Sequence, residues 1–200
     1  MTWADALVGE IIKSLKANQL LDNTVVVLTA DHGDNLGSHH LFNKDVHYEE
    51  SIRIPMIFHY PGHIEAGQVN AAQQAQIIDL FPTLVDYLGG GIPSSVQGTS
   101  LAPILRGERQ TVGENLAFIE TPYHQIAVRT PSHKVAFQTP YSRIAEPIVE
   151  DLHDGNIRET FFFDLVPDPL EQHNLAEGAK DHPLFKELKQ RLLDWNRTTP

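Results

Sequence analysis

Between Asn23 and Pro61 the chain reads NTVVVLTADHGDNLGSHHLFNKDVHYEESIRIPMIFHYP, and the order of its blocks constrains the fold more than any other segment. Val25-Val26-Val27-Leu28-Thr29 is an apolar, β-branched run bounded by polar residues, which predicts a strand buried on both faces. Ala30 ends the run. Asp31, His32, Asp34, His39, His40, Lys44, Asp45, His47, Glu49 and Glu50 then crowd the next stretch. A second apolar run, Pro55-Met56-Ile57-Phe58, returns the chain to an interior. Open α/β sheets bind ligands just past the carboxyl ends of their strands, so this ionisable burst falls where such a fold keeps an active site.

The rest of the chain fits an α/β reading. Ala4–Ala17 predicts an amphipathic helix with Leu7, Ile11 and Leu15 along one stripe. Asp79 is placed to cap a helix over Leu80–Leu88, with Leu80, Leu84 and Leu88 as its buried row, and a short helix is expected over Leu101–Leu105. From Leu116 the pattern changes to short strands at Leu116–Glu120, Gln125–Arg129, Lys134–Gln138 and Phe161–Leu165, which predict a small antiparallel sheet. Thr139–Glu159 is polar and unpatterned. Asp181 is expected to cap a last helix, Pro183–Asn196, with Leu184, Leu188, Leu192 and Trp195 on one face. Residues 1–112 thus read as an α/β core and 113–200 as a small C-terminal subdomain. The first helix starts at once, with no strand before it, which fits the later part of a longer protein.

Composition narrows the function classes. The net charge of −11 argues against nucleic acid or an anionic membrane as partner. With no cysteine, disulfides, thiolate metal sites and a cysteine nucleophile are excluded within the chain. No stretch resembles a signal peptide or a membrane span, and nothing marks a compartment, cytoplasmic or periplasmic.

Asp31 and His32 follow the first strand directly. A carboxylate and an adjacent imidazole suit a divalent cation, or else they cap a turn and face solvent. Gly33 and Gly37 allow a tight turn and close approach to a ligand. Lys44 is a point charge suited to an oxyanion, or a solvated surface lysine. The spacing of His39, His40 and His47 fits no compact zinc motif. Glu49 and Glu50 read as helix-start carboxylates, with Arg53 as a helical-spacing partner for Glu49.

T-A-D-H-G-D-N-L-G-S-H-H-L-F-N-K, followed by Y-E-E-S-I-R-I-P-M-I, resembles the later half of the sulfatase family of the alkaline-phosphatase-like superfamily. I-I-D-L-F-P-T-L-V-D-Y-L-G, Q-G-T-S-L-A-P-I-L-R-G and F-F-D-L-V-P-D-P-L-E-Q-H-N-L-A continue the resemblance in the same order. D-H-G alone is a weak signal; the ordered blocks are a strong one. The resemblance implies an alkaline-phosphatase-like α/β fold: later strands of a mostly parallel sheet, covering helices, and a small antiparallel sheet with a terminal helix. It implies that Asp31 and His32 bind a divalent metal, calcium foremost with magnesium or manganese behind. It implies that Lys44 contacts sulfate or phosphate oxygens, and that His39 or His40 lines the pocket. Arg129 and Lys134 in V-R-T-P-S-H-K match a common sequence feature of the family, not a known catalytic role.

The chain departs from the family in one large respect. Members carry a cysteine or serine, in C/S-x-P-S-R, that becomes the formylglycine nucleophile. That segment is absent here, as is the early aspartate pair that completes the metal site. The expectation is a C-terminal fragment of an enzyme that cleaves sulfate esters, inactive by itself and weak in metal binding. A phosphonate or phosphate ester hydrolase on the same scaffold is the alternative. A non-catalytic module whose acidic loop binds a metal or a partner is the alternative from another class.

Overall fold

The computed structural model describes residues 2–122, 125–138 and 157–199. Most of the interval expected to be unpatterned, residues 139–156, lies outside the described residues. In chain order the elements are α1 (Thr2–Ala17), β1 (Val26–Thr29), α2 (Glu49–Ile52), β2 (Met56–His59), α3 (Leu80–Tyr87), α4 (Ala102–Leu105), β3 (Ala117–Thr121), β4 (Gln125–Arg129), β5 (His133–Gln138), β6 (Glu159–Asp164) and α5 (Pro183–Thr198). They gather into two compact units, 1–30 with 55–113, and 31–54 with 114–200. No described helix is long and apolar enough to cross a membrane.

In the first unit β1 and β2 form a two-stranded antiparallel sheet, with Val26 opposite His59 and Thr29 opposite Met56. A mostly parallel sheet was expected, and no parallel pair occurs among the described strands. A valine-rich run favours an extended backbone without encoding the direction of its neighbour. Burial on both faces is likewise not found: Leu28 is 39 % exposed and Ile57 53 %. Helix α1 buries none of its residues, and its stripe residues Leu7 and Ile11 are exposed.

Asp79 does not cap α3 with its side chain. It is buried, and its carboxylate accepts hydrogen bonds from Thr99 N (2.7 Å) and Gln76 N (2.8 Å), tying the helix start to a loop twenty residues on. Burial raises the pKa of its carboxyl, against the pull of those two bonds. The buried side of α3 is Pro82 and Thr83 rather than the leucine row, and Leu88 is exposed. Thr83 Oγ1 donates to Asp79 O and accepts from Leu101 N, so small polar side chains make this contact.

The second unit is built on a four-stranded antiparallel sheet, β3-β4-β5-β6. Alternation along β4 and β5 sorts its faces. Ile126, Val128, Val135 and Phe137 point to one side, where Phe185, Leu188 and Leu192 of α5 close a core. Ala127 and Ala136 point to the other side with Phe161, Phe163 and the half-buried Tyr48. Helix α5 buries Phe185, Leu188, Leu192 and Asn196. The other expected face residues, Leu184 and Trp195, pack at the margin, where Trp195 stacks on Phe118 with centroids 5.0 Å apart. Asp181 pairs with Lys186 (2.9 Å), and His182 holds the capping position instead. The edge strand β6 is covered by the D-P-L-E-Q-H-N-L-A segment. Asn174 Oδ1 accepts from Phe162 N (3.0 Å) and its Nδ2 donates to Thr160 O (2.9 Å), occupying edge groups that would otherwise recruit another chain.

Candidate active-site loop

The ionisable burst forms one loop of the second unit, and its backbone is unusual. Leu36, His39, His40, Asn43 and Asp45 all have positive φ, between 49° and 75°, and Gly37 has φ 102°. Asn, Asp and His tolerate that region better than most residues, whereas Leu36 does not. Such conformations cost about 1–3 kcal/mol each and persist only where surrounding bonds over-determine them. Those bonds are present. Buried Asn35 donates twice to Asn43 O, from its backbone N (2.7 Å) and from Nδ2 (2.8 Å). Gly37 N donates to Leu41 O (2.9 Å), and Asp34 Oδ1 accepts from Leu36 N (2.9 Å).

Gly33 joins the start of the loop to its end. Its N–H donates to Ser51 O (2.8 Å), and a Cβ added to it would stand 2.0 Å from Glu50 O. The close approach expected of this glycine is therefore to the chain's own backbone. Gly33→Ala is expected to destabilise the protein by about 1–3 kcal/mol by forcing the two strands of the loop apart. Urea denaturation reads this, and a loss below about 0.5 kcal/mol contradicts it.

Asp31 and His32 are held side by side. Asp31 Oδ1 accepts from His32 N (3.0 Å), and this backbone bond is the main reason its carboxyl lies below the usual range, with the His32 ring and Lys44 adding to the shift. His32 Nδ1 lies 2.7 Å from Gly33 O. A carbonyl oxygen only accepts, so Nδ1 carries a proton and, in the neutral ring, Nε2 carries the lone pair. That Nε2 is 3.4 Å from Asp31 Oδ2. The Asp31 side chain is 85 % exposed, so its charge is available to a ligand. Lys44 is half-buried and near enough for its charge to act on Asp31.

The two loop histidines part company. His40 is exposed. His39 stacks on Tyr48, centroids 3.7 Å apart, and its Nε2 is 3.6 Å from Glu50 Oε2. It borders a cavity of about 410 Å³ walled by Tyr48, Gln125, Gln138 and Glu159 among others; Asp31, His32 and Lys44 do not line it. Among the described residues, the imidazole and carboxylate groups that gather three together within 4.8 Å are His39, Glu50 and Glu171.

The surroundings of two residues, buried His47 and half-buried Glu49, escaped the sequence reading. His47 is fully buried between Tyr48 and Phe161; burial pushes its pKa down to about 3, against the hydrogen bond to Gln125. Glu49 opens α2 as expected, but it pairs with Arg129 (2.9 and 3.0 Å) and Lys134 (3.2 Å) rather than Arg53. Those partners lie eighty residues away, in the V-R-T-P-S-H-K segment whose family likeness was the available signal.

The profile of the family described as N-sulphoglucosamine sulphohydrolase, C-terminal, matches residues 37–198. The chain belongs to the sulfatase family. It corresponds to the C-terminal portion of these alkaline-phosphatase-like proteins. The sulfatase chain is 32 % identical over 189 residues to an N-acetylglucosamine-6-O-sulfatase of Bacteroides thetaiotaomicron, covering 94 % of this chain and 33 % of that protein. It superposes on a putative sulfatase of Bacteroides fragilis with a TM-score of 0.78 at 31 % identity, over 98 % of this chain and 40 % of that one. A second similar structure holds its substrate, D-glucosamine-2-N,6-O-disulfate. It matches with a TM-score of 0.73 at 29 % identity, over 96 % of this chain and 38 % of that one. The sulfatase chain thus spans between a third and two fifths of the curated proteins that match nearly all of it.

Proposed function

We propose that this chain is the C-terminal part of an enzyme that hydrolyses sulfate esters, and that Asp31, His32 and Lys44 are its contribution to the active site. The single observation that carries this is the pair of donor atoms 3.4 Å apart, Asp31 Oδ2 and His32 Nε2, in a family whose similar members are named as sulfatases. Asp31 and the His32 imidazole would hold a divalent cation, which, when bound, polarises ester oxygens and favours ionisation of a nucleophile. Ligand atoms at right angles about a cation with bonds of about 2.4 Å stand about 3.4 Å apart; for magnesium the edge is about 3.0 Å. The spacing therefore supports a calcium-sized ion, while the imidazole also suits manganese.

Lys44 would offer an ammonium to the sulfuryl oxygens, whose charge grows as the ester bond breaks. His39 is committed to Tyr48 and Glu50, which leaves the exposed His40 as the histidine offered to substrate. The exposed apolar groups of α1, β1 and β2 support the reading that the remainder of the enzyme covers them. It also brings the formylglycine segment and further metal ligands. The substrate class is a small sulfated molecule, in keeping with the sulfated sugar held by a similar structure.

The test is an assay of the intact enzyme and of the purified 200-residue chain against aryl sulfate and aryl phosphonate esters. The intact enzyme is expected to cleave the sulfate faster, and the chain alone to cleave neither. A preference for the phosphonate would favour the sibling hydrolase, and hydrolysis by the chain alone would refute the division of the site.

A further inference from the structure

Lys134 is fully buried, a rare place for a lysine unless its charge is matched. Its Nζ donates to His47 O (2.6 Å) and Glu49 Oε1 (3.2 Å) and contacts the Glu171 carboxylate. Glu171, itself buried, accepts from Glu49 N through Oε2 (2.8 Å). Arg129 grips the Glu49 carboxylate with two bonds, and Gln125 Oε1 accepts from His47 N (2.8 Å). Apart from the Lys134–Glu171 contact, each of these bonds ends on His47 or Glu49. From there the chain runs through Glu50 and Ser51, against which Gly33 is pressed, to His32 and Asp31.

The grouping of His39, Glu50 and Glu171 invites a second reading, a further metal site. Lys134 argues against it: an ammonium already touches the Glu171 carboxylate, so a cation there would meet a like charge at contact distance. A buried ion network is also a poor source of stability, because desolvating its charges offsets their attraction. Its fixed geometry is what it adds, beside a loop holding five non-glycine residues at positive φ.

We propose that Lys134 is a positioning residue: its buried ammonium, shared by His47 O, Glu49 and Glu171, locks the base of the loop that carries Asp31, His32 and Lys44. This rests on the proposed function only for what the loop carries. The test is amide hydrogen exchange at Gly33 and Asn35, whose N–H groups bond to Ser51 O and Asn43 O, measured against amides of the β4–β5 ladder. The proteins compared are the wild-type chain, Lys134→Met and Lys134→Met/Glu171→Gln. The double variant removes the carboxylate that the single one leaves unpaired, so it restores most of the thermal midpoint. In both variants the loop amides are expected to exchange at least tenfold faster relative to the ladder amides than in the wild type. A loop-to-ladder ratio within twofold of wild type in the double variant would overturn the proposal, leaving the network a matter of stability alone. Equal acceleration of both sets in the single variant would count against it in the same way. The readout needs neither metal nor ester, so a failed hydrolysis assay leaves it standing.

Discussion

Asp31→Ala is expected to lower sulfate-ester hydrolysis by the intact enzyme about a thousandfold, or ~4 kcal/mol of transition-state stabilisation. The reasoning begins with exposure. The Asp31 side chain is 85 % exposed, and the hydrogen bonds that hold its carboxylate come from local backbone, His32 N foremost. Removing it should therefore leave folding nearly intact, so lost activity reports on the site. Its carboxyl is held below the usual range, which keeps it ionised throughout the pH range of most assays. Asp31→Asn is the sharper variant, since it preserves shape and an acceptor oxygen while discarding the charge. The measurement is kcat/KM against calcium concentration, alongside the thermal midpoint. Added calcium should recover part of the lost rate. A variant within tenfold of wild type, at unchanged calcium dependence, would remove Asp31 from the metal site.

Acid is expected to destabilise the protein steeply between about pH 6.5 and pH 3, and His47 is the chief cause. In the unfolded chain its ring takes a proton below pH 6.5; in the fold it does so only near pH 3. The unfolded state therefore binds more protons across that window, and stability falls as the pH drops, by about 1.4 kcal/mol per unit and up to about 5 kcal/mol in all. The geometry agrees. Nδ1 faces Gln125 Oε1 (2.9 Å), and buried Nε2 has no acceptor for a second proton among the described residues. Glu49 acts in the same direction at the acid end. Burial opposes its ionisation, but Arg129 and Lys134 prevail and hold its pKa low, so the unfolded chain is protonated first. Glu171 opposes them: burial raises its pKa, so the folded state takes up that proton earlier and stability recovers slightly above the ordinary glutamate range. His47→Phe keeps a ring of similar shape and leaves the Gln125 bond to the backbone N in place. The variant's stability should be nearly flat from pH 6.5 to 5 in urea titrations. A slope equal to wild type would assign the acid loss to other groups.

The success of the sequence reading follows the range of the forces involved. Short strand segments separated by turns placed β3 to β6 within two residues, because that signal depends on neighbours a few positions away. The proposed metal ligands could be named from sequence because Asp31 and His32 are adjacent and lie just past the end of a strand. Non-local effects were hidden. Nothing in V-V-V-L-T reports that β2 runs antiparallel to it. Nothing in S-H-K distinguishes Lys134 from a solvated lysine until the sheet brings it to Glu49 and Glu171. The expected leucine row of α3 gave way to Pro82 and Thr83 because hydrogen bonds from Thr83 and Asp79, not apolar area, hold that helix in place.

Anomalous diffraction from crystals of the intact enzyme grown with calcium, or with manganese as its stand-in, tests the central claim most directly. The account predicts a peak bonded to both Asp31 Oδ2 and His32 Nε2, with the Lys44 ammonium turned toward the same ligand. A metal held instead by His39, Glu50 and Glu171, or an Asp31–His32 pair without one in saturating cation, would contradict it.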